Sequence, residues 1–171
     1  KTDGSGALSW TTASSGASAI NDLSDALIED TGSMYIGNDP SSTTDEANYN
    51  LAIGTTSLDA VTTGDYNTAV GYSSLTDNTT GAANVAYGSQ SLFKNTTGSR
   101  NVAIGHQSLY QNTEGSHNTA LGYNSLTNTT GSSNTALGNV ALTENTSGAS
   151  NVAIGMAALR NNTTASYNTA I

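Results

Sequence analysis

A seventeen-residue unit repeats through most of this chain, and a constant short step of that kind restricts the fold to a solenoid in which each unit stacks on the last. The clearest copies are residues 84–100 (NVAYGSQSLFKNTTGSR), 101–117 (NVAIGHQSLYQNTEGSH) and 151–167 (NVAIGMAALRNNTTASY). Lead asparagines fall at Asn50, Asn67, Asn84, Asn101, Asn118, Asn134, Asn151 and Asn168. The step is therefore seventeen, except for one sixteen-residue unit that begins at Asn118.

The unit reads as a coil. Its first five residues, as in Asn101-Val102-Ala103-Ile104-Gly105, form a short strand with alternate side chains on opposite faces, Asn and Ala on one and the aliphatic residues on the other. The fifth-position glycines, among them Gly71, Gly88, Gly105 and Gly122, mark a corner at positive φ, and so a bend and not a phosphate loop. Four residues on, the column Leu75, Leu92, Leu109 and Leu126 predicts a second strand that turns one large side chain inward. The segment Asn-Thr-Thr-Gly, as in residues 78–81 and 128–131, then supplies turn chemistry for the return.

Coils stacked at the strand spacing of about 4.8 Å would make eight of them a rod roughly 40 Å long. Asparagines piled at that spacing can bond amide to amide, and the leucines can fill the narrow interior. Composition supports this reading over one large globular core, because 171 residues include only one Phe and one Trp. A coil this small leaves one apolar strand face uncovered, and an exposed stripe drives association. Homotrimerisation about a common axis is the expected resolution.

Along the chain, residues 1–17 read as a linker around Trp10. Residues 18–32 read as a short helix or neck, with Ile20, Leu23 and Leu27 at helical spacing. Residues 33–49 read as a degenerate capping repeat, with Pro40, Asp39, Asp45 and Glu46 discouraging edge pairing. Residues 50–171 are the repeats proper, and they stop inside a unit, as a piece of something longer would.

The net charge is -9 with only four basic residues, which speaks against nucleic acid as a partner. Eight of the thirteen acids lie at or before Glu46, so the array is nearly neutral and its recognition chemistry should be polar. Cysteine is absent, which removes disulfides and thiolate metal sites. No cofactor is expected.

The pattern Asn-x-Ala-aliphatic-Gly-x-x-Ser/Ala-Leu, at residues 67–75, 101–109 and 151–159, resembles the head repeats of trimeric autotransporter adhesins. It is still more similar to repeats in tail-fibre proteins of tailed phages, where such units alternate with Asn-Thr-Thr-Gly turns. Residues 21–44 also resemble the lead-in to those repeats in fibres of marine phages, cyanophages in particular. The resemblance spans residues 33–171. It implies a homotrimeric parallel β-roll or β-solenoid serving as stalk or receptor-contacting head, joined to other virion tail components. The adhesins commonly use a shorter unit and carry a membrane anchor, so the fibre is the better match, with a bacterial surface adhesin as the alternative.

His106 and His117, with Glu114 nearby, occupy slots that other units fill with tyrosine, asparagine, methionine or arginine, so they read as surface variation and no catalytic set is assigned. Asp59, Asp65, Asp77, Glu114 and Glu144 fall at different positions of the unit and do not build repeated calcium sites; no metal is assigned. Asn78, Asn95, Asn128, Asn145, Asn161 and Asn162 match the glycosylation acceptor pattern but read as turn residues first. Repeated threonines such as Thr79/Thr80 and Thr96/Thr97 raise an ice-binding alternative. The remaining signal lies in Tyr72, His106 and Tyr123, which share one slot, and Phe93 and Tyr110, which share another. Beside Gln90, Gln107 and Asn124 they suit contact with a host receptor, a glycan in particular.

Overall fold

The computed structural model describes residues 26–28, 32–36 and 47–171. Every regular element among them is a short strand: β1 (Ala26–Ile28), β2 (Met34–Ile36), β3 (Leu51–Ile53), β4 (Thr68–Val70), β5 (Val85–Tyr87), β6 (Val102–Ile104), β7 (Thr119–Leu121), β8 (Thr135–Leu137), β9 (Val152–Ile154) and β10 (Thr169–Ala170). They form one sheet in chain order. The run from β2 to β10 is parallel, while β1 pairs antiparallel with β2. The protein is thus an all-β parallel solenoid, one strand to a coil.

Register follows the repeat. Val102 pairs with Thr119 and Ala103 with Ala120, seventeen residues on. Across the short unit Thr119 pairs with Thr135 at a step of sixteen, so the missing residue leaves strand pairing intact. Each strand turns its central alanine inward: Ala69, Ala86, Ala103, Ala120 and Ala136 are fully buried. Leu75, Leu92, Leu109 and Leu126 are buried with them in one continuous core.

The expected second strand is absent. Leu109 has φ +53° and Gln107, two residues earlier, φ +53°, and the pattern recurs in each coil from β3 to β9, as at Leu92 (+50°) and Gln90 (+58°). Alternating left-handed residues curl the chain into a run of turns, and a strand cannot form through them. Each such non-glycine residue costs roughly 1–2 kcal/mol. Burial of the leucine side chain returns about 1.5–3 kcal/mol. Bonds between coils hold the geometry, with Leu75 N–H donating to Ser91 O and Leu92 N–H to Ser108 O, both at 3.0 Å.

Two asparagine columns line the interior. In the first, the lead asparagine acts as a strut: Asn101 Nδ2 donates across its own coil to Gly115 O at 2.8 Å, and its Oδ1 accepts from the Asn118 backbone N–H at 2.9 Å. Amide-to-amide bonds here are secondary, as in Asn84 Nδ2 to Asn67 Oδ1 at 3.2 Å. The second column holds the ladder in its purer form. Asn95 Nδ2 donates to Asn78 Oδ1 at 2.8 Å, and Asn112 Nδ2 to Asn95 Oδ1 at 2.9 Å. Asn78, Asn95, Asn112 and Asn145 are fully buried. They are core residues first and turn residues second, and in the folded chain Asn78, Asn95 and Asn145 are closed to glycosylation.

The short unit breaks this second ladder. Thr129, and not Asn128, occupies the column: it is fully buried, and its hydroxyl accepts from Asn145 Nδ2 at 3.0 Å. Its side chain is too short to reach down, so Asn112 Oδ1 is buried without a partner. Leaving a buried acceptor unpaired costs about 1–3 kcal/mol. Thr129→Asn restores the rung and is expected to raise the urea midpoint, by an amount equivalent to about 1 kcal/mol. A midpoint below that of the parent would contradict the ladder assignment.

The helical reading of residues 18–32 is corrected at Ala26–Ile28. There, register pairing with Met34–Ile36 supplies backbone partners that a three-residue stretch of helix lacks. The rest of that segment up to residue 31 lies outside the described residues, as do the linker and the Pro40, Asp39, Asp45 and Glu46 group. Met34–Ile36 pair with Leu51–Ile53 at a step of seventeen, so β2 opens the first coil.

Candidate interaction surfaces

The outer face of the sheet carries the second and fourth residues of each coil. On β6 these are Val102, half-buried, and Ile104, 37% exposed; on β7 they are Thr119 and Leu121, the latter 43% exposed. Ile53, Val85 and Ile154 are exposed to the same degree, at 37–38%. The coil interior is filled by Asn, Ala and Leu, and among the described residues nothing covers this face. The result is an aliphatic stripe running the length of the sheet, of the kind that marks an interaction surface. The face expected to stay exposed is therefore the aliphatic one.

A second surface lies around the corner, at the seventh and tenth positions of the coil. Those two columns adjoin, because Thr127 Oγ1 donates to Gln107 O at 3.3 Å and Thr143 Oγ1 to Asn124 O at 3.0 Å. Phe93 and Tyr110 stack there with centroids 5.3 Å apart and planes 6° apart. Next to them Gln107 Nε2 donates to Gln90 Oε1 at 2.8 Å. Lys94 Nζ sits 4.9 Å above the Phe93 ring and 3.6 Å from Asp77, both partners being well exposed, so the ion pair itself contributes little. His106 and Tyr123, at the sixth position, stack at 5.3 Å and 11°.

Tyr72 stands apart from the other candidates. It is 59% exposed, but the next residue in its column is Ser89, so it has no ring to stack on. A pair outside the candidate set is equally well formed: Tyr49 and Tyr66 stack at 5.1 Å and 12° and are 59% and 61% exposed. Their seventeen-residue separation was the available signal, and it applies to any aromatic pair in one slot. His117 is exposed and follows Arg100 in its own column.

Among the described residues no three His, Cys, Asp or Glu side chains come together as a metal site would need. Nor do they contain a helix long and apolar enough to cross a membrane. The first threonine of these turns uses its donor within the stack, with Thr79 Oγ1 bonded to Thr96 O at 3.1 Å and Thr96 Oγ1 to Thr113 O at 3.0 Å. Those hydroxyls are struts between coils and do not present a free donor lattice. No family model, curated protein or solved structure matches the chain.

Proposed function

We propose that this chain is a segment of a homotrimeric phage tail fibre, a non-enzymatic structural and attachment element that projects from the virion tail toward the host surface. The observation that carries this reading is the exposed aliphatic stripe on a coil whose opposite strand face is buried. Three such stripes turned to a common axis bury one another and leave the corners outward. The repeat resemblance supports the fibre assignment over a bacterial surface adhesin.

Attachment falls to the outward corner. Stacked rings beside paired amides fit sugars, whose ring faces are apolar and whose hydroxyls need both donors and acceptors. Each contact is weak, and three copies on one rod multiply them. A glycan array probed with the recombinant chain tests this: retention on a subset of glycans is expected, with about tenfold loss in Phe93→Ser/Tyr110→Ser, equivalent to ~1.4 kcal/mol. Equal binding by parent and variant would move the receptor contact elsewhere, and binding to none would contradict attachment through this corner.

A further inference from the structure

A self-associating repeat faces a problem of axial register. Successive outer rows are nearly alike: Thr119/Leu121 is followed by Thr135/Leu137, and Val102/Ile104 recurs as Val152/Ile154. A copy displaced by one coil, about 4.8 Å, would still set aliphatic on aliphatic. The stripe attracts without aligning.

One row breaks the pattern. On β5 the fourth position is Tyr87, 59% exposed, where the other strands of the array carry Ile, Val or Leu. The columns flanking the stripe on that row hold Ala83 and Ser89. The rows on either side place Tyr66 and Tyr72, or Arg100 and His106, at the same two margins. Bulk at the centre is thus matched by small margins in one row alone. A surface facing only water has no need of that compensation, whereas a packed interface does. A partner that meets the sheet row by row must also share its repeat, and a second copy of this chain does so.

We propose that Tyr87 sets the axial register of the assembly, an inference that rests on the self-association proposed above. Aligned copies bring their Tyr87 rows to one level, where Ala83 and Ser89 leave room. A shifted copy drives the ring into a row whose margins are already filled. The misaligned states are penalised sterically, as negative design requires.

The absence of cysteine from the sequence makes the test clean. Ile104 and Leu137 lie two strands apart, about 9.6 Å along the rod at the usual spacing. That exceeds the roughly 7 Å over which Cα atoms can be bridged by a disulfide. Tagged Ile104→Cys and untagged Leu137→Cys chains are co-expressed and oxidised mildly. With Tyr87 present, each variant is expected to bridge to its own kind and the mixed disulfide to stay at background. In a Tyr87→Ile background the mixed species is expected to rise about tenfold, with the mass in solution unchanged, and Tyr87→Phe should keep the parent pattern. A Tyr87→Ile assembly of unchanged mass with no more mixed disulfide than the parent would overturn the assignment. A monomeric parent that forms no disulfide would overturn the self-association beneath it.

Discussion

Gly105→Ala is expected to disrupt the stack at its centre, with a loss of about 4 kcal/mol or more, in the range reached only by severe core changes. Two costs combine. Gly105 has φ +128°, a conformation that L-residues rarely adopt, and a Cβ there would fall 2.5 Å from Gly122 O in the next coil. The neighbour cannot retreat, because Gly122 N–H is bonded to Ile104 O at 2.8 Å. Backbone strain alone costs about 1–3 kcal/mol. Denaturant unfolding followed by far-ultraviolet circular dichroism should therefore show a loss for Gly105→Ala beyond that range. A loss confined to about 1–3 kcal/mol would show that contact between glycine columns does not govern the stacking distance.

The second large effect is expected at the outer face. Ile104→Asp and Leu121→Asp together put two carboxylates per chain into the stripe, at positions 37% and 43% exposed in the single chain. In a lone coil such changes are tolerated, since the side chains reach water and the interior of Asn, Ala and Leu is untouched. In a three-fold assembly they bring six carboxylates toward one axis, and the penalty for burying an ion is several kcal/mol each. The double variant is expected to keep the parent's circular dichroism spectrum and to sediment as a monomer at micromolar concentration. A variant that remains associated would place the contact between copies on another surface.

Much of this architecture is legible in the sequence because a constant step converts position in the unit into position in space. The columns of Asn101, Gly105 and Leu109 follow directly. The local backbone is less legible. Leu109 at φ +53° turns inward from a curl and not from a strand, and a leucine carries no mark of that in its identity. The inter-coil bonds that hold it appear only once the coils are stacked. The Asn-Thr-Thr-Gly segment misleads for a related reason: asparagine suits a surface turn and a buried ladder equally well, and burial decides between them. The short unit compounds this, since Asn128-Thr129-Thr130-Gly131 matches the motif by letter while its threonine, one place later, fills the column. Of the receptor candidates, Phe93, Tyr110, His106 and Tyr123 form stacked pairs because their partners lie one coil away, and Tyr72 lacks such a partner.

On the proposed reading the coil is filled inside and uncovered outside, and only further copies cover the aliphatic face. Sedimentation equilibrium on the unmodified chain tests it most directly. A single species of three times the 17.3 kDa chain mass is expected, persisting on dilution to micromolar concentration. A stable 17.3 kDa species across that range, with its sheet intact, would contradict it.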